Sequence, residues 1–211
     1  MSSLEQALPA ARLLGCAVGV MAVLSGGCST VPADEPLRQR LDNTSGATVT
    51  TLAEPMAFFR EEPTLAANLR DYIYVGPVEV NRSGRRVYLL WTAFSSTIDR
   101  GGRAVVLAPE AAYLMLDGEL MELARTRGRL DLGIRLYEPP IPTDQIVVYR
   151  MTRAQFLAIA RAGEVLFIAD HSAARETAFA SWRDSVSDWR RFSRYIDGAN
   201  TIAGPIARAH E

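Results

Sequence analysis

The chain has 211 residues, 48% of them apolar and 22% charged, with a formal net charge of −1. That length holds one full-sized domain and is short for two. The apolar content excludes a disordered chain, and the near-neutral balance argues against a dedicated nucleic-acid binder. All 23 basic residues are arginines, so P-loop, Schiff-base and serine–lysine chemistry are excluded together.

At the start of the chain Arg12 precedes an apolar run, Leu13 to Leu24, which ends in Ser25-Gly26-Gly27-Cys28. A membrane-spanning helix needs roughly 20 apolar residues, and this run stops short at the glycines, as a cleavable leader does. The stretch Leu24-Ser25-Gly26-Gly27-Cys28 resembles the lipobox of bacterial lipoproteins, with Leu24 one place further from the cysteine than is usual. The resemblance implies that residues 1–27 are removed, that Cys28 is acylated, and that the acyl chains hold the mature protein on a membrane. Ser29 stands where that family carries an aspartate for inner-membrane retention, which implies the outer membrane, facing the periplasm. Cys16 and Cys28 are the only cysteines, so the body of the chain has no disulfide, thiol nucleophile or thiolate metal site.

Residues 28–54 are rich in Ser, Thr, Pro, Asp, Asn and Gly and read as a flexible tether. Within it Leu37 to Leu41 suggests a turn of helix and Ala47 to Leu52 an edge strand. The single domain is expected over 55–198. Strand patterns bounded by turn residues follow at Tyr72–Val75, Val78–Val80, Val87–Phe94, Val105–Leu107, Ala112–Leu116, Glu119–Leu123, Leu130–Tyr137, Ile146–Tyr149 and Val165–Ile168. Asn81-Arg82-Ser83-Gly84 reads as a four-residue turn. Asp117-Gly118 is the clearest hairpin turn, because both residues accept positive φ. Short strands joined by tight turns point to a β-rich, mainly antiparallel, sandwich-like domain, α+β by count of its elements.

Two helices complete the expected fold. Thr152 and Gln155 form a capping box ahead of Phe156, Leu157, Ile159 and Ala160, and Gly163 stops this short end-capping helix. Phe179, Trp182, Val186, Trp189 and Ile196 recur at helical spacing, which predicts a C-terminal amphipathic helix capped by Asp170 or Ser172 and ended by Gly198. The tail 199–211 is expected to be loose.

Candidate chemistry is sparse. The only histidines are His171 and His210, with no ligand spacing between them, so neither metal nor cofactor is expected. Asp170-His171-Ser172 has triad residue types, but three consecutive residues cannot form the acid–base–nucleophile relay. Glu61-Glu62 and Glu119/Glu122 have no diagnostic spacing. Arginines gather at predicted turns: Arg82, Arg85 and Arg86, then Arg100 and Arg103, then Arg125, Arg127 and Arg129. Arg82, Arg85, Arg86, Arg100 and Arg103 are the expected interaction surface, able to bind an anion or an acidic partner. The expected role is non-enzymatic: an envelope lipoprotein, anchored through Cys28, presenting an interaction domain to a protein partner in the periplasm. The alternative is a barrel-type carrier of a lipid or small apolar ligand, with a cavity lined by Tyr88, Leu90 and Phe94. A serine hydrolase using His171 is the third reading.

Overall fold

A computed structural model describes residues 37–61, 70–97, 111–127, 130–143, 145–169, 178–182 and 185–202. In chain order these form β1 (Leu37–Asp42), β2 (Ala47–Leu52), β3 (Met56–Glu61), β4 (Arg70–Arg82), β5 (Arg85–Ser96), β6 (Ala111–Leu116) and β7 (Glu119–Arg125). After them come β8 (Gln145–Met151), α1 (Arg153–Arg161), β9 (Val165–Ile168), β10 (Ala178–Ser181) and α2 (Ser185–Ile202).

The strands make one antiparallel sheet that closes on itself. Its order is β1-β2-β4-β3-β10-β9-β6-β7-β8-β5, and β5 pairs back onto β4. Eight strands, β3 to β10, therefore form a closed barrel, and the β1–β2 hairpin extends the wall beside β4. The expected two-sheet sandwich is thus replaced by a barrel. Closure is made by β4, whose 13 residues are long enough to pair along one whole edge with β5. Its other edge pairs with β3 over Arg70–Val75 and with β2 over Val78–Asn81.

Local chemistry accounts for the turns. Ser83 and Gly84 have φ of 50° and 85°, and Asp117 and Gly118 have 50° and 90°. Both pairs occupy the left-handed region that two-residue hairpin turns use. The first turn is therefore two residues long, not four, because Asn81 and Arg82 continue β4. Asp117 also accepts from the backbone N–H of Gly163 and Glu164, tying its turn to the loop after α1.

Part of the stretch 28–54, expected as a flexible tether, is folded. Residues 37–52 are two paired strands, with Leu37–Leu41 in β1 and not helical, and Ala47, Val49 and Leu52 buried. The β1–β2 turn is built around Asp42, whose carboxylate accepts from Thr44 N–H, from Ser45 N–H and hydroxyl, and from Gly133 N–H. These donors, the Ser45 hydroxyl foremost, hold the Asp42 carboxyl below its ordinary pKa.

The segment 130–141 keeps the expected alternation, with Leu130, Leu132, Ile134 and Leu136 packed against the core, yet it joins no strand ladder. Side chains supply its tethers instead: Arg40 donates to Leu136 O at 2.8 Å, and Asp42 accepts from Gly133. Tyr137, buried, donates to Pro77 O at 2.6 Å and accepts from Leu52 N–H at 3.0 Å.

Helix α1 carries the expected capping box between Thr152 and Gln155. Helix α2 starts later than the apolar spacing suggests. Phe179 lies in β10 and Trp182 follows it, and Gly198 lies within the helix, not at its end. Its proposed caps Asp170 and Ser172, and the strand Val105–Leu107, fall outside the described residues. The helices meet through aromatic contacts. Trp189 Nε1 donates to Phe156 O at 2.9 Å, and the Phe156 ring lies 4.9 Å from Trp189 and 5.2 Å from Phe192.

Candidate functional site

Strand register sorts the side chains of β4 and β5 onto two faces. Ile73 pairs with Phe94, Val75 with Thr92, Pro77 with Leu90 and Glu79 with Tyr88, so these residues share the inner face. Tyr88, Leu90 and Phe94 are buried there, as the carrier reading expects. Tyr88 rests against Phe156, with ring centroids 5.9 Å apart. The space left among Met56, Phe58, Val75, Leu114, Ile159, Val165 and Trp189 is about 20 Å³. That is room for one water molecule and not for an acyl chain.

The inner face also carries two charged pairs. Arg60 bonds Asp71 at 2.8 Å, and Asp71 accepts from the Ser96 hydroxyl at 2.7 Å. Beyond the opposite end of the barrel's β4 segment, Glu79 lies 3.3 Å from Arg86 and is 2% exposed. Burial pushes the Glu79 carboxyl above its ordinary pKa, and the Arg86 guanidinium only partly offsets this.

The outer face holds an open groove. Arg82 pairs with Arg85, Val80 with Val87 and Val78 with Leu89, while Arg150 of β8 pairs with Leu89. Val80, Val87 and Leu89, with Leu130 and Leu132 from the crossing segment, make an apolar floor. Arg82, Arg85 and Arg150 stand around it, with Asp131 as the single acid, and the groove encloses about 570 Å³. A cleft of this size and lining is in the range that takes a small ligand.

Comparison with protein-family models, curated proteins and solved structures finds no match. The site therefore rests on geometry alone.

The structure brings together two of the five arginines expected to act as one surface. Arg82 and Arg85 line the groove. Arg86 points to the other face and pairs with Glu79, because the alternation of a strand puts neighbours on opposite sides. Arg100, Arg103, Arg129, Cys28, Glu62, His171 and His210 fall outside the described residues. Sequence reasoning missed Arg150 and the floor supplied by Leu130 and Leu132. The signal for Arg150 was present: in β8 Val147, Tyr149 and Met151 are buried, so Arg150 belongs to the outward set with Ile146 and Val148.

Proposed function

We propose that the protein is a non-enzymatic binding module of the barrel class, holding an anionic amphiphile in the groove outside its wall. The observation that carries this reading is the groove itself: five aliphatic side chains on its floor and three arginines with one acid around them. An acyl chain fits the floor through the hydrophobic effect, and a carboxylate or phosphate head fits the planar, permanently charged guanidinium groups. The small space, about 20 Å³, left among Met56, Phe58, Val75, Leu114, Ile159, Val165 and Trp189 supports a ligand on the wall over one in the lumen. The setting proposed with it is the one the leader implies: the chain held on the outer membrane by acylated Cys28, with the barrel in the periplasm.

The test is titration of the full chain with a fluorescent fatty acid and with the matching fatty alcohol. Saturable binding of the acid is expected, weaker by about tenfold or more for the alcohol and for an Arg82→Gln/Arg85→Gln/Arg150→Gln variant. Equal affinity for acid and alcohol, or an unaffected triple variant, would sink the reading.

A further inference from the structure

A second groove, of about 540 Å³, lies between α1 and α2 on surface unrelated to the wall groove by lining residues. Arg161 comes from the last turn of α1, and Arg190, Arg191 and Arg194 come from α2. The groove's one acid, Asp197, is held by Arg153. Arg191 is balanced by Asp188 at 3.8 Å. Arg190 is fixed in place by donating from Nε to Ala160 O at 3.1 Å. Arg161 and Arg194 have no acidic partner among the described residues, which leaves a net positive field between the helices.

Ser193 gives the second, independent sign. It lines this groove, is 5% exposed, and its Oγ has no hydrogen-bond partner among the described residues. Buried hydroxyls in folded proteins are satisfied with few exceptions, so an unpartnered one in a groove lined by four arginines marks a place for an acceptor. We propose that this groove binds a phosphate group, either free or carried on a lipid head. A phosphate presents several strong acceptor oxygens in a tetrahedral array. It can therefore engage a guanidinium from each helix and the Ser193 hydroxyl together, where a carboxylate has only two oxygens to share.

The experiment titrates the full chain calorimetrically with inorganic phosphate and with acetate. Alongside, it compares co-sedimentation with phosphatidylcholine vesicles with and without phosphatidic acid. Saturable phosphate binding is expected, falling by about tenfold in Arg161→Gln/Arg194→Gln and by a smaller factor in Ser193→Ala. Arg135→Gln, which alters an exposed pair with Glu138 elsewhere, is expected to change nothing. Thermal melting of each variant verifies that the fold persists. If inorganic phosphate alone responds to the variants, the site takes the free ion; if only phosphatidic-acid vesicles respond, it takes the lipid head. Acetate binding as tight as phosphate, or no response to the Arg161/Arg194 change in either arm, overturns the proposal.

Discussion

Glu79 is held where a carboxylate is costly to ionise. It faces Arg86 at 3.3 Å and shares its face with Thr50, its register partner, and with Tyr195 of α2, whose hydroxyl lies 3.4 Å from Thr50 Oγ1. Desolvation outweighs the Arg86 attraction, so its pKa rises on folding from the ordinary value of 4.5. A raised folded value means that the native state holds the proton more tightly. Stability is then greatest below the unfolded pKa and declines as pH rises through the window up to the folded pKa. Glu79→Gln removes the ionisation and with it that decline. Urea midpoints measured from pH 4 to 7 are expected to fall for the wild type and to run flatter for the variant; parallel profiles would refute the assignment. Asp42 acts in the opposite sense: its folded pKa lies below 3.8, so the stability it contributes is full well above that value and is lost as pH falls from about 5 through the folded pKa, which leaves the decline from pH 5 to 7 to Glu79.

At the scale of elements, the barrel wall has a gap that one tyrosine closes. On one edge of β4 the β3 pairing ends at Val75 and the β2 pairing begins at Val78, which leaves Gly76 and Pro77 outside both ladders. The Pro77 carbonyl points into this gap, and its missing N–H faces the same way, so proline costs the sheet no bond here. The Tyr137 hydroxyl fills the gap, donating to Pro77 O and accepting from Leu52 N–H, and its ring packs against Trp91 at 5.2 Å. A Cβ on Gly76 would fall 2.2 Å from Tyr137 Cε2, so the glycine is what admits the ring. Tyr137→Phe leaves a buried carbonyl and a buried N–H without their partner and is expected to cost about 2–4 kcal/mol. Gly76→Ala is expected to cost about 1–3 kcal/mol through overpacking, and less in a Tyr137→Ala background. Denaturant unfolding of the four proteins in that cycle measures the coupling; strict additivity would show that ring and glycine are independent.

Signals confined to a few neighbouring residues were legible in the sequence, and pairings between distant edges were not. Asp117-Gly118 and the Thr152/Gln155 box act through their own backbone, so their chemistry survives in any fold. Residues 130–137 show the limit, since alternation reports which side is buried but not whether backbone or side chains hold the segment. Phe179 and Trp182 also fitted a helical stripe by spacing, yet β10 takes Phe179 because Ala178–Ala180 pair with Leu166–Ile168 of β9. The site was half legible. The arginines were visible, but reading Asn81 and Arg82 as turn residues hid the alternation that separates Arg86 from its neighbours.

At the scale of the described fold, the strands β3 to β10 close a barrel, and side chains from both helices reach its inner face. Met56, Phe58, Val75, Leu114 and Val165 meet Ile159 of α1 and Trp189 of α2 around a residual space of about 20 Å³. Closure abolishes the exposed edges between β3 and β10, and an eight-stranded barrel is just wide enough for side chains to fill. Leu114 is 1% exposed and borders that residual space, so Leu114→Ala adds the volume lost from the side chain to a void already present. The expected cost is about 3–5 kcal/mol, toward the upper end for such changes because the strands around it cannot collapse inward. An apolar cavity of that enlarged size stays dry and admits a small aromatic molecule. Benzene is therefore expected to raise the melting temperature of Leu114→Ala and to leave the wild type unchanged. A comparable rise in the wild type would mean that the lumen is open to ligands after all, and would move the binding site from the wall to the interior.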